Sequence, residues 1–450
     1  MDGEGLMATT LDALKQVPLK RVDQATPAGT PSRKYADPDL GTALIPKERY
    51  TSAEFMKLEW ERMWTTTWMI GGRHEVIPEP GDWMSHEIGT ESLIFVRQPD
   101  MSIKGFFNVC PHRGNRVVAK DTSGSAATFK CGYHHWEWTI DGELHNLPDR
   151  ETFPQLAGCT TLGLKPVRTG EWGGFFFFNL DPDAEPLMDY LGEIPAHLAP
   201  YEFENQKLID WKTIEWDCNW KTSVDAFNET YHVPAIHPEL LSWLDNWNVQ
   251  IDCLGIHNRY LVPFTTPSPH YHEQSKLSGE MLFFASLAGV DPADYEGRPR
   301  ELRLAIQRAK RAKQDEVIYP YSRMNDDQLS DDYHYMIFPN ATMNVYGEAM
   351  LLFVSRPHPT DPNKMLFDLM NFAHLAPDQP WQLPEHQTYK HGQIGLGLVL
   401  DQDAYNLPRV QEGMNSRAYD GLIIGEQELR IRHFHEILGE YVDGLRPARG

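Results

Sequence analysis

Cys110-Pro111-His112-Arg113-Gly114 and, further on, Cys131-Gly132-Tyr133-His134-His135-Trp136 are the segments from which the rest of the chain can be read. Their ligand spacing is Cys-x-His-x18-Cys-x2-His. Two Cys and two His on paired loops suit either zinc or an iron–sulfur cluster. Zinc fingers usually place Cys with Cys and His with His, whereas here each loop supplies one of each. That interleaving suits a binuclear cluster in which Cys110 and Cys131 hold one iron and His112 and His134 the other. Two neutral imidazoles in place of two thiolates remove negative charge and raise the reduction potential. His135 is one residue out of step and reads as a loop or docking residue. Cys159, Cys218 and Cys253 have no ligand-like neighbours and read as buried small residues.

Around these loops, from Thr67 to about Leu180, short alternating runs such as Trp83–Ile88 and Ser92–Val96 are separated by Pro80-Gly81, Asp141-Gly142 and Gly173-Gly174. This texture predicts a small all-β domain closed by the buried strand Phe175–Phe178. Ahead of it, Ser52 can cap a helix running to Trp64. Residues 1 to about 45, rich in Gly, Pro, Thr and Ala, read as an extended arm.

A second constellation lies further along. Trp211–Cys218 is expected to be a strand and Trp220–Tyr231 a helix, which would put Asp225, Glu229 and His232 on one face at ~100° per residue. Pro234 would then break that helix and let His237 swing round to His232. Carboxylates leading into two His are expensive to bury unless they serve a metal or a proton network. Two His and one carboxylate form the facial triad of non-haem Fe(II) sites that leave positions open for O2.

Together the two constellations resemble the Rieske non-haem iron oxygenases, the aromatic ring-hydroxylating family, in their catalytic alpha subunit. The loops are similar to that family's Rieske signature, as are Phe106-Phe107-Asn108-Val109 and Trp172-Gly173-Gly174-Phe175. The gap between the loops is slightly longer than usual, so Asp121–Thr128 is expected to bulge outward. Tyr231-His232-x4-His237 resembles the family's mononuclear iron site. The resemblance implies an α+β chain with an N-terminal Rieske 2Fe-2S all-β domain and a helix-grip (START-like) catalytic domain built on an antiparallel sheet. The expected divisions are an arm at 1–50, a helix at 51–66 packing on the catalytic domain, the Rieske domain at 67–180 and the catalytic domain at 181–450. An insertion falls near 268–330, including the basic run Pro299–Lys313, read as a solvated face. Strands are expected at His334–Phe338, Met350–Ser355 and Leu366–Ala373, with a final helix over Gly425–Val442.

The family's third iron ligand lies at the start of a helix, here Leu400–Gln411. The register favours Asp403, with Asp401 as the rival and one of the two only a cap. In the family an Asp links a Rieske His of one subunit to an iron-ligating His of its neighbour. Glu229 occupies that place here, as in members that attack amine-type substrates, and Asp225 shares its predicted face. The implied cofactors are one 2Fe-2S cluster and one mononuclear Fe(II). NAD(P)H would serve indirectly, through a separate reductase or ferredoxin, since the chain shows no nucleotide-binding fingerprint. The implied partners are O2, a small organic substrate and two further copies of the chain in a homotrimer, with a beta subunit possible in principle. Phe227 is a candidate wall of the substrate pocket.

Composition bounds the alternatives. Lys plus Arg number 41 against 64 for Asp plus Glu, a net charge of −23. Such a surface repels nucleic acid and anionic membranes. No run approaches the ~20 apolar residues of a membrane span, and the start of the chain does not read as a secretory signal. Five Cys argue against a disulfide framework and for a cytoplasmic protein. A pure electron carrier would not need His232, His237 and the long second half. A ligand-binding module with degenerate metal sites would not keep every ligand type.

Overall fold

A computed structural model describes residues 17–19, 34–35, 37–159, 161–313 and 318–446. Most of the expected arm lies outside these; within them Pro18–Leu19 pairs with Leu40–Gly41. Ser52 caps the first long helix, α1 (Ala53–Glu59), its Oγ accepting from Phe55 N–H at 3.2 Å. The helix continues as a π-helical turn over Trp60–Trp64.

The first sheet has seven strands, in the order Met69–Arg73, Phe175–Asn179, Pro166–Trp172, Ile103–Phe107, Glu91–Arg97, Asp82–Ile88 and Ser123–Ser125. All pairs are antiparallel. Ser123–Ser125 falls inside the segment expected to bulge outward; it instead zips onto Asp82–Met84 as an edge strand. Phe175–Phe178 are all buried on both faces of their strand. Phe176 and Phe178 meet Phe95 at 5.0 and 5.4 Å, while Phe175 reaches Phe372 of the second sheet at 5.5 Å. Each of these four buried aromatics contributes ~1.5–3 kcal/mol, and Phe175 joins the two sheets. A β-carbon on Gly71 would lie 2.5 Å from the Phe176 ring, so only glycine lets the neighbouring strand approach. A smaller three-stranded sheet, Thr128–Lys130, Glu137–Thr139 and Leu144–Asn146, carries the second Cys/His loop.

The second sheet has eight strands, in the order Gln250–Leu254, His257–Val262, Asp332–Ile337, Ala341–Val345, Ala349–Pro357, Met365–Ala373, Lys207–Trp216 and Gln387–Lys390. Only the last pair is parallel. One face packs against α2 (Trp220–Ala226) and the C-terminal helix. Between the strands come α3 (Gly279–Ala288) and α4 (Pro299–Ala312). After them follow α5 (Leu398–Met414) and α6 (Leu429–Val442). This antiparallel sheet gripping a terminal helix is the architecture expected for the catalytic half.

Two expectations fail locally. The basic run of α4 is not simply a solvated face: Arg303 forms a bidentate pair with Asp331 at 2.9 and 2.5 Å, and Lys310 donates to Leu329 O at 2.7 Å. Both side chains are buried. Of the three cysteines read as buried, only Cys218 is; Cys159 and Cys253 are partly exposed.

The first helix is anchored by a buried ion pair. Lys221 Nζ on α2 donates to Glu59 Oε1 at 2.6 Å, both side chains being almost wholly inaccessible. Burial pushes the Glu59 carboxyl up and the Lys221 ammonium down, and each holds the other's charge. Lys221→Met therefore leaves an uncompensated carboxylate and is expected to cost about 3–5 kcal/mol of stability. Lys221→Met with Glu59→Leu should recover most of that loss. Denaturant melts of the two variants check this, and equal stability in both would contradict it.

Candidate metal centres

The first centre lies on two loops closed by their own backbone. Cys110 N–H donates to Asn115 O at 2.8 Å, and Gly114 N–H returns to Cys110 O at 2.9 Å. On the other loop Cys131 N–H donates to Trp136 O at 2.8 Å and His135 N–H to Cys131 O at 3.0 Å. Both cysteines are buried. The rings of His112 and His134 lie 4.5 Å apart, and His112 stacks on Trp136 at 4.7 Å with 4° between the planes. The two imidazoles therefore meet, and the Cys110 and Cys131 thiols lie within hydrogen-bonding reach of each other. His135 is exposed, with a left-handed φ of 60°, and turns away.

The chemistry of this donor set fits the cluster. His112 Nδ1 is buried and has no hydrogen-bond partner in the protein. Such an orphan is costly unless something binds its lone pair. Burial works to raise the Cys131 thiol, yet the Tyr133 N–H and the Asn115 amide together bring it below its usual value. Donors directed at sulfur favour a thiolate ligand.

The second centre is built by three separate elements. Asn219 caps α2, its side chain accepting from Lys221 N–H at 3.0 Å. This helix ends at Ala226, five residues short of the expected Tyr231. The Glu229 carboxylate is the local reason. It turns back onto the Tyr231 and His232 backbone N–H groups, the latter at 3.0 Å, and also bonds His232 Nδ1. A side chain that satisfies the backbone in this way competes with helix continuation. Pro234 does not break a helix but sits in the first turn of a short one, Val233–Ile236, that carries the chain on to His237. The two imidazoles still meet, with ring centroids 5.1 Å apart.

Asp403, on the first turns of α5, completes the group. Its Oδ1 lies 3.1 Å from His237 Nε2 and 4.0 Å from His232 Nε2. One ligand atom from each of His232, His237 and Asp403 falls within 4.8 Å of the others. Among the described residues no other His/Cys/Asp/Glu group of three or more converges so. Asp401 points elsewhere, accepting from Leu396 N–H at 2.7 Å. Both imidazoles turn Nε2 inward because Nδ1 is engaged, in His232 by Glu229 and in His237 by Gln402 Oε1 at 2.6 Å. A ligating imidazole held through its second nitrogen has its tautomer fixed, so the set fits a metal. Burial opposes protonation of His232, but the adjoining Glu229 raises it above the ordinary value.

Asp225 is not where the helical-face argument put it. With α2 ending early, it shares no helix with Glu229. It is buried against Tyr50, whose hydroxyl donates to it at 2.5 Å, and against His435 Nε2 at 3.4 Å. Sequence reading missed Gln402, Tyr50 and His435. Gln402 was within reach as the residue next to a candidate ligand. Tyr50 and His435 had no local signal. Phe227 is half-buried, its ring 4.6 Å from Phe353 and 5.8 Å from Phe367 on the sheet.

Known proteins share this design. Residues 67–157 match the Rieske [2Fe-2S] domain and residues 203–444 the ring hydroxylating alpha subunit (catalytic domain). The glycine betaine monooxygenase oxygenase subunit of Chromohalobacter salexigens is 32% identical over 204 residues, 45% of this chain and 45% of that protein. The carnitine monooxygenase oxygenase subunit of Escherichia coli is 31% identical over 196 residues, 43% of this chain and 52% of its own. The large oxygenase component of naphthalene 1,2-dioxygenase from Pseudomonas putida is 32% identical over 195 residues, 42% of this chain and 43% of its own. The chain thus spans about half the length of the curated relatives it matches. A quaternary ammonium Rieske monooxygenase crystallised with L-carnitine shares the fold at a TM-score of 0.64 and 19% identity, over 88% of this chain and 95% of that one. From these matches and the paired centres, the chain belongs to the ring-hydroxylating oxygenase alpha-subunit family, with a Rieske [2Fe-2S] domain preceding its mononuclear-iron catalytic domain.

Proposed function

We propose that this chain is the oxygenase component of a system that uses O2 and NAD(P)H-derived electrons to oxidise a small organic substrate. The convergence of His232, His237 and Asp403, in a chain that also carries the Cys110/His112 and Cys131/His134 loops, carries the reading. When bound, the cluster stores and passes single electrons, and the mononuclear iron offers open positions to O2 beside the substrate.

The residues have distinct tasks in this reading. Cys110 and Cys131 hold one cluster iron, and His112 and His134 the other. His232, His237 and Asp403 hold the third iron. Glu229 keeps His232 in the tautomer that presents Nε2, and Gln402 does the same for His237. Phe227 with Phe353 and Phe367 gives the ligand segment an apolar wall that keeps water out. Asp225, tied to Tyr50 and His435, holds α2 against the segment that precedes α1 and against α6.

The partners are a separate flavin reductase or ferredoxin and two further copies of the chain, arranged head to tail. Exposed apolar side chains adjoin both centres: Val109 and Tyr133 at the cluster loops, and Tyr231 and Tyr405 near the triad. In that assembly Glu229 would also accept the N–H of a Rieske His from the adjacent copy. A beta subunit is not needed for this arrangement. Among the described residues no helix is long and apolar enough to cross a membrane, in keeping with a cytoplasmic site of action.

For the substrate, Glu229 in place of the usual Asp and the relatives named for glycine betaine and carnitine favour monooxygenation of an amine-type compound with N- or O-dealkylation. The similar match to naphthalene 1,2-dioxygenase keeps aromatic dihydroxylation as the second reading. Incubation with 18O2, NADH and a reductase distinguishes them. One labelled atom is expected in the aldehyde released with the dealkylated product, trapped by reduction before it exchanges with water; two labelled atoms in a diol would favour the second reading. Absence of label from both the trapped aldehyde fragment and any diol would contradict both.

A further inference from the structure

One face of the eight-stranded sheet carries a second polar cluster, separate from the iron ligands. Antiparallel pairing sets His334 opposite Tyr260 on one side and Asn344 on the other. It also sets Met336 opposite Thr342, and Thr342 opposite Phe353. Directly opposed residues share a sheet face, as do residues two apart in a strand. Asp332, His334 and Met336 therefore lie on the face of Phe353, against which Phe227 packs at 4.6 Å. Phe227 is two residues from Glu229, so this face runs beneath the iron-ligand segment.

Arg430 enters the same space from α6. Its Nε donates to Asn258 Oδ1 at 2.6 Å and its Nη2 to His334 Nδ1 at 3.0 Å. The guanidinium lies 4.2 Å over the Tyr260 ring, on which His334 stacks at 4.5 Å. Tyr260 is near enough to Glu229 for that carboxylate to help raise its hydroxyl, behind burial and Asp332.

These contacts fix which atoms can donate. Guanidinium has no acceptor, so His334 Nδ1 must accept and the neutral ring carries its proton on Nε2. Burial and the neighbouring Arg430 keep this imidazole neutral by holding it well below its usual value. His334 Nε2 and Arg430 Nη1 then have no acceptor in the protein, although the side chains are 1% and 0% exposed. The acid of the cluster, Asp332, also leaves its Oδ1 unpaired, and burial pushes its carboxyl well above the normal range. A buried guanidinium with free N–H groups calls for an anionic acceptor.

We infer that Arg430 and His334 seat a carboxylate of the substrate, through Arg430 Nη1–H and His334 Nε2–H, so that the substrate is a small organic acid or zwitterion. The inference rests on reading His232, His237 and Asp403 as the iron site, and it adds the end of the substrate remote from the oxidised carbon. Asn258 and Tyr260 position the guanidinium, one by accepting from Nε and the other by lying beneath it.

Calorimetric binding to the anaerobic holoenzyme without reductase, and so without turnover, tests this. The probes are matched pairs: trimethylammonioacetate with its amide, and benzoate with benzamide. In at least one pair the carboxylate should bind about tenfold more tightly or better. Arg430→Gln should abolish that preference. His334→Phe keeps a ring on Tyr260 but removes both the Nε2–H donor and the Nδ1 acceptor for Arg430 Nη2, so it serves if Arg430→Gln fails to fold, and it should lower the preference severalfold. Equal binding of both members of each pair, no binding of any probe, or a preference that survives these substitutions would overturn the inference. Iron per chain is counted on the same samples. Full iron without a carboxylate preference removes only this inference, whereas a wild-type triad lacking iron removes the iron reading with it.

Discussion

Replacing Asp403 with Ala is expected to lower the iron content from about three to about two per chain and to abolish product formation. The Rieske absorption should stay unchanged, because no part of the Cys110/His112 and Cys131/His134 loops depends on α5. The geometry makes the effect large. Asp403 supplies the oxygen that stands 3.1 Å from His237 Nε2 and 4.0 Å from His232 Nε2. It is also buried, so water does not readily replace it. Two His alone form an incomplete set for Fe(II). Asp401→Ala removes only the acceptor for Leu396 N–H, ahead of the helix, and should cost at most ~1 kcal/mol of local stability, with iron retained. Iron analysis and absorption spectra of the two variants decide the matter. Iron loss in Asp401→Ala and not in Asp403→Ala would place the ligand two residues earlier.

Glu229→Gln should separate metal binding from turnover. The side chain is buried and holds both the His232 ring and two backbone N–H groups. Gln is equal in size and keeps one acceptor, so the local turn and both metal centres should survive. It removes the negative charge beside His232 and one of the two acceptors that a bridge between imidazoles of adjacent subunits requires. The cluster should be reduced at the normal rate by its redox partner, while product formation falls by about two orders of magnitude or more. Glu229→Asp is also expected to be impaired, since a side chain one methylene shorter cannot reach His232 Nδ1 and the Tyr231 N–H from the same backbone. Stopped-flow reduction with a single-turnover product assay reads both steps. Normal turnover in both variants would show that Glu229 is not the bridge.

The candidate metal ligands could be picked out in the sequence where their spacing is local. Cys110 with His112, Cys131 with His134, and His232 with His237 each lie on one loop or turn, so identity and spacing suffice. Asp403 was narrower, since Asp401 sits two residues away on the same helix start, and only the folded register shows which one faces the histidines. The extent of α2 was misread because its periodicity continues through Tyr231, while the residue that ends it does so by side-chain hydrogen bonds. The second-half sheet was partly visible: Asp332–Ile337, Ala349–Pro357 and Met365–Ala373 fall where strands were expected, at slightly different ends. Contacts across the chain were not legible at all. Tyr50 and Asp225 are 175 residues apart, and Lys221 and Glu59 are 162 apart. No local pattern announces such pairs. They follow from two helices crossing over a common core, and burial then demands that each polar group find the other.

The paired centres imply that one chain carries both a Rieske cluster and a separate mononuclear iron. Quantitative iron and acid-labile sulfide analysis of anaerobically purified protein, before and after brief chelation, tests it most directly. About three irons and two sulfides per chain are expected, with one iron removed by the chelator while the sulfide and the visible colour remain. Stoichiometric zinc in a colourless protein, or two irons of which none can be removed without bleaching, would contradict it.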